Sequence, residues 1–329
     1  MKADVLSDVL RAVRLTGAVF FDFDLSSPWV VEAPPSREIA ARVMPGAQRV
    51  IEYHLIARGA GWGSGVGQAP IRLREGDLIV FPQGDAHVLS SAPGMREAPD
   101  MSAFARLPTT RPVVYELGGG GPERARIVCC FLGCDERPFN PLLTALPSVI
   151  HLSAASPQAT TGWLGTLLSI AARESGSERP GGENVLARLS ELMFVETIRR
   201  YIETLPPAET GWLAGLRDPV VGQALAALHG EASEPWTVDR LARTVGVSRS
   251  VLAERFTAMV GQPPMQYLTL WRMQLASRML ARGGQIAAVA AAVGYESEAA
   301  FSRAFKKLVG QAPATWRRST VSGATSLRT

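Results

Sequence analysis

The sequence predicts an α+β multidomain protein: a strand-rich N-terminal part, a helical linker, and a C-terminal all-α domain of two helix-turn-helix units. Three observations predict this. Up to about residue 135, apolar residues come in short runs punctuated by Gly and Pro. From about Pro141 they recur at helical spacing. From about Pro219 to Arg318 the chain repeats itself.

In the first part, Val50–Ile56, Leu78–Phe81 and Ile127–Leu132 read as strands. Ser91–Pro122 is rich in Gly, Pro, Ser and Arg, with four glycines in a row from Gly118 to Gly121, and reads as holding an exposed loop. The 329 residues suffice for two domains and a linker. No run of about 18 apolar residues suggests a membrane span. Asp8, Arg11 and Arg14 interrupt any signal-peptide core. A cytoplasmic protein is therefore expected.

The middle part reads as helices. Trp163, Leu164, Leu167, Leu168 and Ala171 form one apolar stripe. Val185, Leu189, Leu192, Met193, Ile198, Tyr201 and Ile202 contribute to a second helix, which Pro206 and Pro207 end. These helices are expected to serve dimerisation.

The C-terminal repeat carries the argument. Gly261-Gln262-Pro263-Pro264 recurs as Gly310-Gln311-Ala312-Pro313, 49 positions later. Ser248, Leu252 and Phe256 meet Ser297, Phe301 and Phe305 at the same offset. Upstream the offset is 48, pairing Leu241 with Val289 and Gly246 with Gly294, so the second turn holds one extra residue. Each unit has a short helix, a stopping glycine, a capping serine and a second helix with apolar residues on one face. Phe301, Phe305 and Leu308 are expected to bury the last one.

The outward faces hold Arg249, Ser250, Ala253, Glu254 and Thr257, then Glu298, Ala299, Ser302, Arg303 and Lys306. Short polar side chains let a helix approach base edges, and Arg can bond guanine bidentately. Lys306, Lys307, Arg317 and Arg318 suit phosphates. From Pro219 onward there are 13 Lys+Arg against 6 Asp+Glu, leaving the rest slightly acidic. A basic domain joined to an acidic partner domain fits a nucleic-acid reader.

On these residues the C-terminal third resembles the AraC/XylS family of bacterial transcription regulators. The resemblance rests on Ser248–Phe256 and Gly294–Lys306. It implies base contacts at Ser250, Ala253 and Glu254, then at Glu298, Ala299, Ser302 and Arg303. Glu254 departs from the family, where that position is often basic. Gly76–His87 resembles the second motif of the cupin-type sensor domain in part of this family, with Ser91 in place of the usual Asn. The first cupin motif, which supplies His-x-His and Glu metal ligands, is not recognised, and only His54 falls in its region.

The resemblance implies a cupin-like sensor domain at 1–135, a linker at 136–212 and a DNA-binding domain at 219–318. The helix-turn-helix units would span about 237–260 and 285–309, with a disordered tail at 319–329. Promoter DNA, RNA polymerase, a small-molecule effector and a second copy of the chain are the expected partners. No cofactor and no catalytic residue are expected. The competing class is a metal-dependent cupin enzyme with an accessory helical domain.

His54 and His87 invite a metal reading, but no third or fourth ligand is visible in the sequence. The favoured reading makes them hydrogen-bonded residues of a degenerate barrel, lining an effector pocket with Tyr53, Trp62 or Trp29. Cys129, Cys130 and Cys134 invite a redox reading. Adjacent strand residues face opposite sides, so only Cys130 and Cys134 could meet, provided the strand stops at Gly133. The preferred reading is small buried hydrophobes.

Overall fold

The computed structural model describes the chain except residues 1–2, 14, 103–112, 156–162, 176, 178, 207–208 and 327–329. It divides into two compact units. The sheet unit comprises Leu15–Asp135 and Leu146–Thr204. The helical unit comprises Met1–Arg14, Glu136–Ala145 and Leu205–Thr329. These units cut the chain differently from the expected 1–135, 136–212 and 219–318. Among the described residues no helix is long and apolar enough to cross a membrane.

The sheet unit holds two sheets. The larger orders its strands β10 (Ile150–Leu152), β6 (Leu78–Phe81), β3 (Arg49–Arg58), β9 (Arg124–Cys134), β1 (Thr16–Ser26) and β8 (Val113–Gly118). The smaller orders β2 (Val30–Ala33), β7 (His87–Ser90), β4 (Ala60–Gly65) and β5 (Ile71–Arg74). All pairs are antiparallel except β1 with β8. Alternate residues of β1, β3 and β9 bury Phe21, Leu25, Val50, Ile56, Ile127, Cys129 and Phe131 in one core. All three expected strands are present, as parts of β3 and β9 and as β6. The stretch expected to hold a loop also contains β8, whose Val/Tyr-rich sequence pairs with β1 in register Phe21↔Val113.

One helix, α2 (Ser36–Val43), follows β2. Two more, α4 (Leu164–Ser175) and α5 (Gly182–Thr204), pack on the larger sheet. Asp22 of β1 accepts from both Arg126 and the Ser175 hydroxyl, while Tyr53 meets Ser190 of α5. Leu164, Leu167, Leu168 and Ala171 are buried as expected. Trp163, Val185 and Leu192 are exposed, so the stripes are narrower than the sequence suggests.

The helical unit contains α1 (Val5–Ala12), α3 (Pro141–Ala145), α6 (Trp212–Arg217), α7 (Val221–Gly230), α8 (Val238–Thr244), α9 (Arg249–Val260), α10 (Pro264–Ala281), α11 (Ile286–Ala292), α12 (Glu298–Val309) and α13 (Pro313–Ser326). The buried amide of Gln274 on α10 ties in both distant segments. Its nitrogen donates to Ala12 O and its oxygen accepts from Phe139 N. Neither α1 nor this docking was read from the sequence. Helix α13 is started by Pro313, and Trp316 anchors it by donating to Ser277 O.

Candidate functional site

The first helix-turn-helix unit is α8 with α9, and the second is α11 with α12. Serine caps start both outer helices: Ser248 Oγ accepts from Val251 N at 3.3 Å, and Ser297 Oγ from Ala300 N at 3.2 Å. Gly261 and Gly310 end them in the left-handed conformation, with φ of 79° and 87°. The turn of the second unit carries the extra residue that the offset change implied. Within it, Gly294 has φ 79°, and a Cβ there would lie 2.2 Å from Ser233 O. Arg272 clamps this turn by donating to Ala232 O, Glu234 O and Gly294 O.

Leu252 and Phe256 bury the inner face of α9, and Phe301 and Phe305 that of α12. Leu308 does not join them. It is 39% exposed, and Val309 packs on the core instead, because the helix turns position 308 past the edge of the apolar stripe. Arg249, Ser250, Glu254, Glu298, Ala299, Arg303 and Lys306 are exposed, and Ala253, Thr257 and Ser302 are half-buried. The Thr257 hydroxyl donates back to Ala253 O. Arg249 pairs with Asp239 at 3.6 Å. Arg303, Lys306 and Lys307 have no ion pair with another described residue.

A second candidate site lies in the sheet unit. A cavity of about 450 Å³ is lined by Phe21, Phe23, Trp29, Tyr115 and Phe131, with Glu52, His54 and Cys129 among its polar walls. Strand parity explains the set: Glu52 and His54 are two apart on β3 and face inward together. Cys129 stands opposite His54 on β9. His87 comes from β7, where the turn through Gly84 (φ 64°) brings Asp85 O within 2.9 Å of its Nδ1. A Cβ on Gly84 would lie 1.9 Å from Ser36 Oγ, so the second cupin-type motif needs glycine there. Ser91, in place of the usual Asn, accepts from Trp29 N and holds that ring at the cavity.

Both histidines are hydrogen-bonded, as expected. His54 Nδ1 lies 2.7 Å from Cys129 Sγ, and the two Nε2 atoms lie 2.7 Å apart. Burial pushes His54 well below the usual imidazole range, and His87 next to it adds to this. Burial likewise pushes His87 down to about 4, and pushes the Glu52 carboxyl well up. Of the expected pocket residues, His54 and Trp29 line the cavity, His87 lies behind His54, and Tyr53 and Trp62 lie elsewhere. Tyr53 has the opposite parity and meets Ser190 outside the cavity. Trp62 lies beneath the Arg72 guanidinium on β4, away from the cavity wall. The sequence reading missed Glu52, although its shared parity with His54 was visible.

Cys129, Cys130 and Cys134 are buried and form no disulfide. Strand β9 runs through Cys134, so the condition for Cys130 to meet Cys134 fails. Four residues of strand separate them by roughly 13 Å. Burial also pushes the Cys129 and Cys130 thiols well up, away from the reactive thiolate.

A sheet unit followed by two matched helix-turn-helix units defines a class, that of DNA-binding regulators with an appended barrel domain. Family models match both parts: the description "Cupin" fits residues 4–203, and "Helix-turn-helix domain" fits residues 241–319. An AraC-like transcription regulator of Streptomyces lividans is 36% identical, covering 96% of this chain and 98% of that one. The HTH-type transcriptional regulator AlkR of Acinetobacter baylyi is 33% identical over 74% of this chain and 79% of its own. The solved DNA-binding domain of the transcriptional factor AdpA, in complex with a target DNA, is 28% identical. That match covers 31% of this chain and 92% of that domain, with a TM-score of 0.29. The chain belongs to the AraC family of transcription regulators. The enzyme alternative has no support among these relatives, which are named as regulators.

Proposed function

We propose that α9 and α12 enter successive major grooves of promoter DNA, with α10 as the rigid spacer between them. Arg303, Ser302, Ala299 and Glu298 read bases from α12. Ser250, Ala253 and Glu254 do so from α9, while Lys306, Lys307, Arg317 and Arg318 hold phosphates. The observation that carries this reading is the pair of capped helices presenting short polar side chains outward from buried aromatic cores.

The cavity on the sheet unit takes a small, largely apolar effector. Five aromatic rings around about 450 Å³ support that chemistry, and the carboxylates Glu32, Glu52, Glu97 and Asp100 on the lining suit a hydrogen-bond donor or cationic group on the same effector. Binding shifts the population of states that present the recognition helices differently. A cytoplasmic homodimer on paired half-sites, acting with RNA polymerase, completes the reading. Val185 and Leu192 lie seven apart on α5, exposed on one face, and supply an apolar strip for self-association.

Arg303→Ala tests the interface. Specific promoter affinity falls by about 1–3 kcal/mol in a gel-shift titration at fixed salt. Glu254→Ala in the same assay costs less than Arg303→Ala or strengthens binding. Unchanged affinity in Arg303→Ala removes α12 from base reading.

A further inference from the structure

The larger sheet carries a second cavity, of about 330 Å³, on the face turned away from the aromatic one. Strand parity places it there. On β3, Glu52 and His54 face the aromatic cavity, so Leu55 faces the other way. On β6, Ile79 and Phe81 enter the inner core, which turns Leu78 outward. The register sets Leu55 beside Leu78 and Leu78 beside Leu152 of β10, so three leucines on neighbouring strands floor the cavity. Helix α4 lies over them, with Leu164, Leu168 and Ala172 each one turn apart along its lining side. Gly165 also lines the space, and a Cβ there would meet no atom within 4 Å. Every lining residue belongs to the sheet unit.

One charged group is out of place in this apolar setting. Arg200 of α5 lines the cavity and is only 8% exposed. Its Nε donates to Glu196 Oε1 at 3.3 Å, and Arg200 makes no other hydrogen bond to a described residue. Its Nη2 is fully buried without a partner. Glu196 is itself shared, since Arg199 donates to its other oxygen at 3.4 Å. Two arginines thus meet one carboxylate. Arg199 is exposed and solvated, so the unbalanced positive charge falls on the buried Arg200. A buried guanidinium with unmet donors is costly, and an anion entering from the cavity meets that need. Glu75, the acid on the lining, is exposed and accepts from Gly59 N instead.

We propose that this cavity binds a small apolar carboxylate, with its anionic head on Arg200 and its hydrocarbon body on the leucine floor beneath α4. A planar carboxylate matches the fork of guanidinium donors. The volume is near the lower end for ligand pockets, so the hydrocarbon body is short. The aromatic cavity does not compete for this ligand, because Glu32, Glu52, Glu97 and Asp100 on its walls disfavour an anionic head. The site lies wholly within the sheet unit and does not depend on the DNA reading.

The test uses the full-length chain with isotope-labelled leucine methyl groups, titrated with isocaproate and followed by nuclear magnetic resonance. The methyl signals of Leu55, Leu78, Leu152 and Leu168 shift saturably. Isocaproamide, which has the same body without the charge, binds about tenfold more weakly or worse. Arg200→Gln weakens isocaproate binding by about tenfold or more. Gly165→Leu, which puts a side chain into the open space and leaves Arg200 in place, weakens it as much. Both variants keep the far-UV circular dichroism of the parent. The absence of a saturable shift, equal affinity for the amide, or undiminished binding in either folded variant overturns the proposal. Should Arg200→Gln not fold, the amide comparison and Gly165→Leu decide by the same criteria. Inorganic phosphate that displaces isocaproate at equal concentration would show that the hydrocarbon body contributes nothing, and overturns it too.

Discussion

The two helix-turn-helix units share their caps, stops and inner faces, yet they are held in place and charged in different ways. At the 49-residue offset, Glu254 of the first unit faces Arg303 of the second, and Arg255 faces Ala304. The first unit thus has its arginine one step round the helix. There it is spent on structure: Arg255 donates through Nε and Nη2 to Asp218 at 3.0 and 2.6 Å. Asp218 also accepts from Val220 N and Val221 N. Burial works to raise the Asp218 carboxyl, but Arg255 and the two amides outweigh it and hold it low. The polar network of Trp212, His229 and Tyr267 lies close by. The second unit rests on Tyr295, Phe301, Phe305 and Trp316, ring against ring. Its arginine, Arg303, is exposed and pairs with no other described residue. One duplicated frame therefore carries an arginine–aspartate bond set in the first unit and a longer aromatic stack, with the Arg272 clamp, in the second, whose outer helix holds the exposed cations Arg303, Lys306 and Lys307.

Truncating the aromatic core has the largest expected effect. Phe305→Ala costs about 3–5 kcal/mol in urea unfolding, because a buried ring leaves a cavity. Leu252→Ala in the first unit spans a slightly lower range, about 2–5 kcal/mol. A Phe305→Ala loss below that of Leu252→Ala would break the contrast.

Acid separates the units next. Burial pushes His229 down to about 3, while it stacks on Trp271, bonds the Tyr267 hydroxyl and lies 3.8 Å from Asp8. An unfolded histidine titrates near 6.5. Between about pH 6.5 and 3 the unfolded chain binds the proton and the folded chain does not. Stability therefore falls with pH across that window, by up to about 1.4 kcal/mol per unit, and is unaffected above it. Urea midpoints for His229→Gln between pH 6.5 and 4.5 show a shallower slope than the parent. Equal slopes would remove His229 from the account.

Arg255→Ala comes third, costing about 1–3 kcal/mol, since it leaves the buried Asp218 carboxylate with only its two amide donors, while nearly half of the Arg255 side chain faces water. Its effect on DNA affinity at fixed salt is smaller than that of Arg303→Ala. The reverse order would show that Arg255, not the second unit, leads in binding. The smallest change is in the caps. Ser248→Ala and Ser297→Ala each cost about 1 kcal/mol by thermal melting, and by similar amounts, because the two bonds are alike.

Much of this was legible in the chain because it depends on local chemistry. The cap at Ser297, the left-handed stop at Gly310 and the inward Phe301 and Phe305 follow from residue type and helical period. Strand β6 follows from four apolar residues between turns. Leu308 was misread because a helix edge is set by what its neighbours cover. Tyr53 and Trp62 were assigned to the pocket by residue type, which ignores the face that a strand turns inward. Helix α1 was missed because it is short and completed by Gln274, some 262 residues away.

By itself, then, the sequence determined the duplicated helix-turn-helix frame, its serine caps and glycine stops, the exposed polar faces of the outer helices and the glycine-hinged turn that orients His87. Those features need only neighbours within a few residues. The tertiary structure alone decided that Arg255 serves Asp218 and that Gln274 gathers two remote segments. It also decided that Glu52 meets two histidines from facing sheets. Each joins groups far apart in the chain, and only burial, by excluding water from their polar atoms, makes them depend on one another.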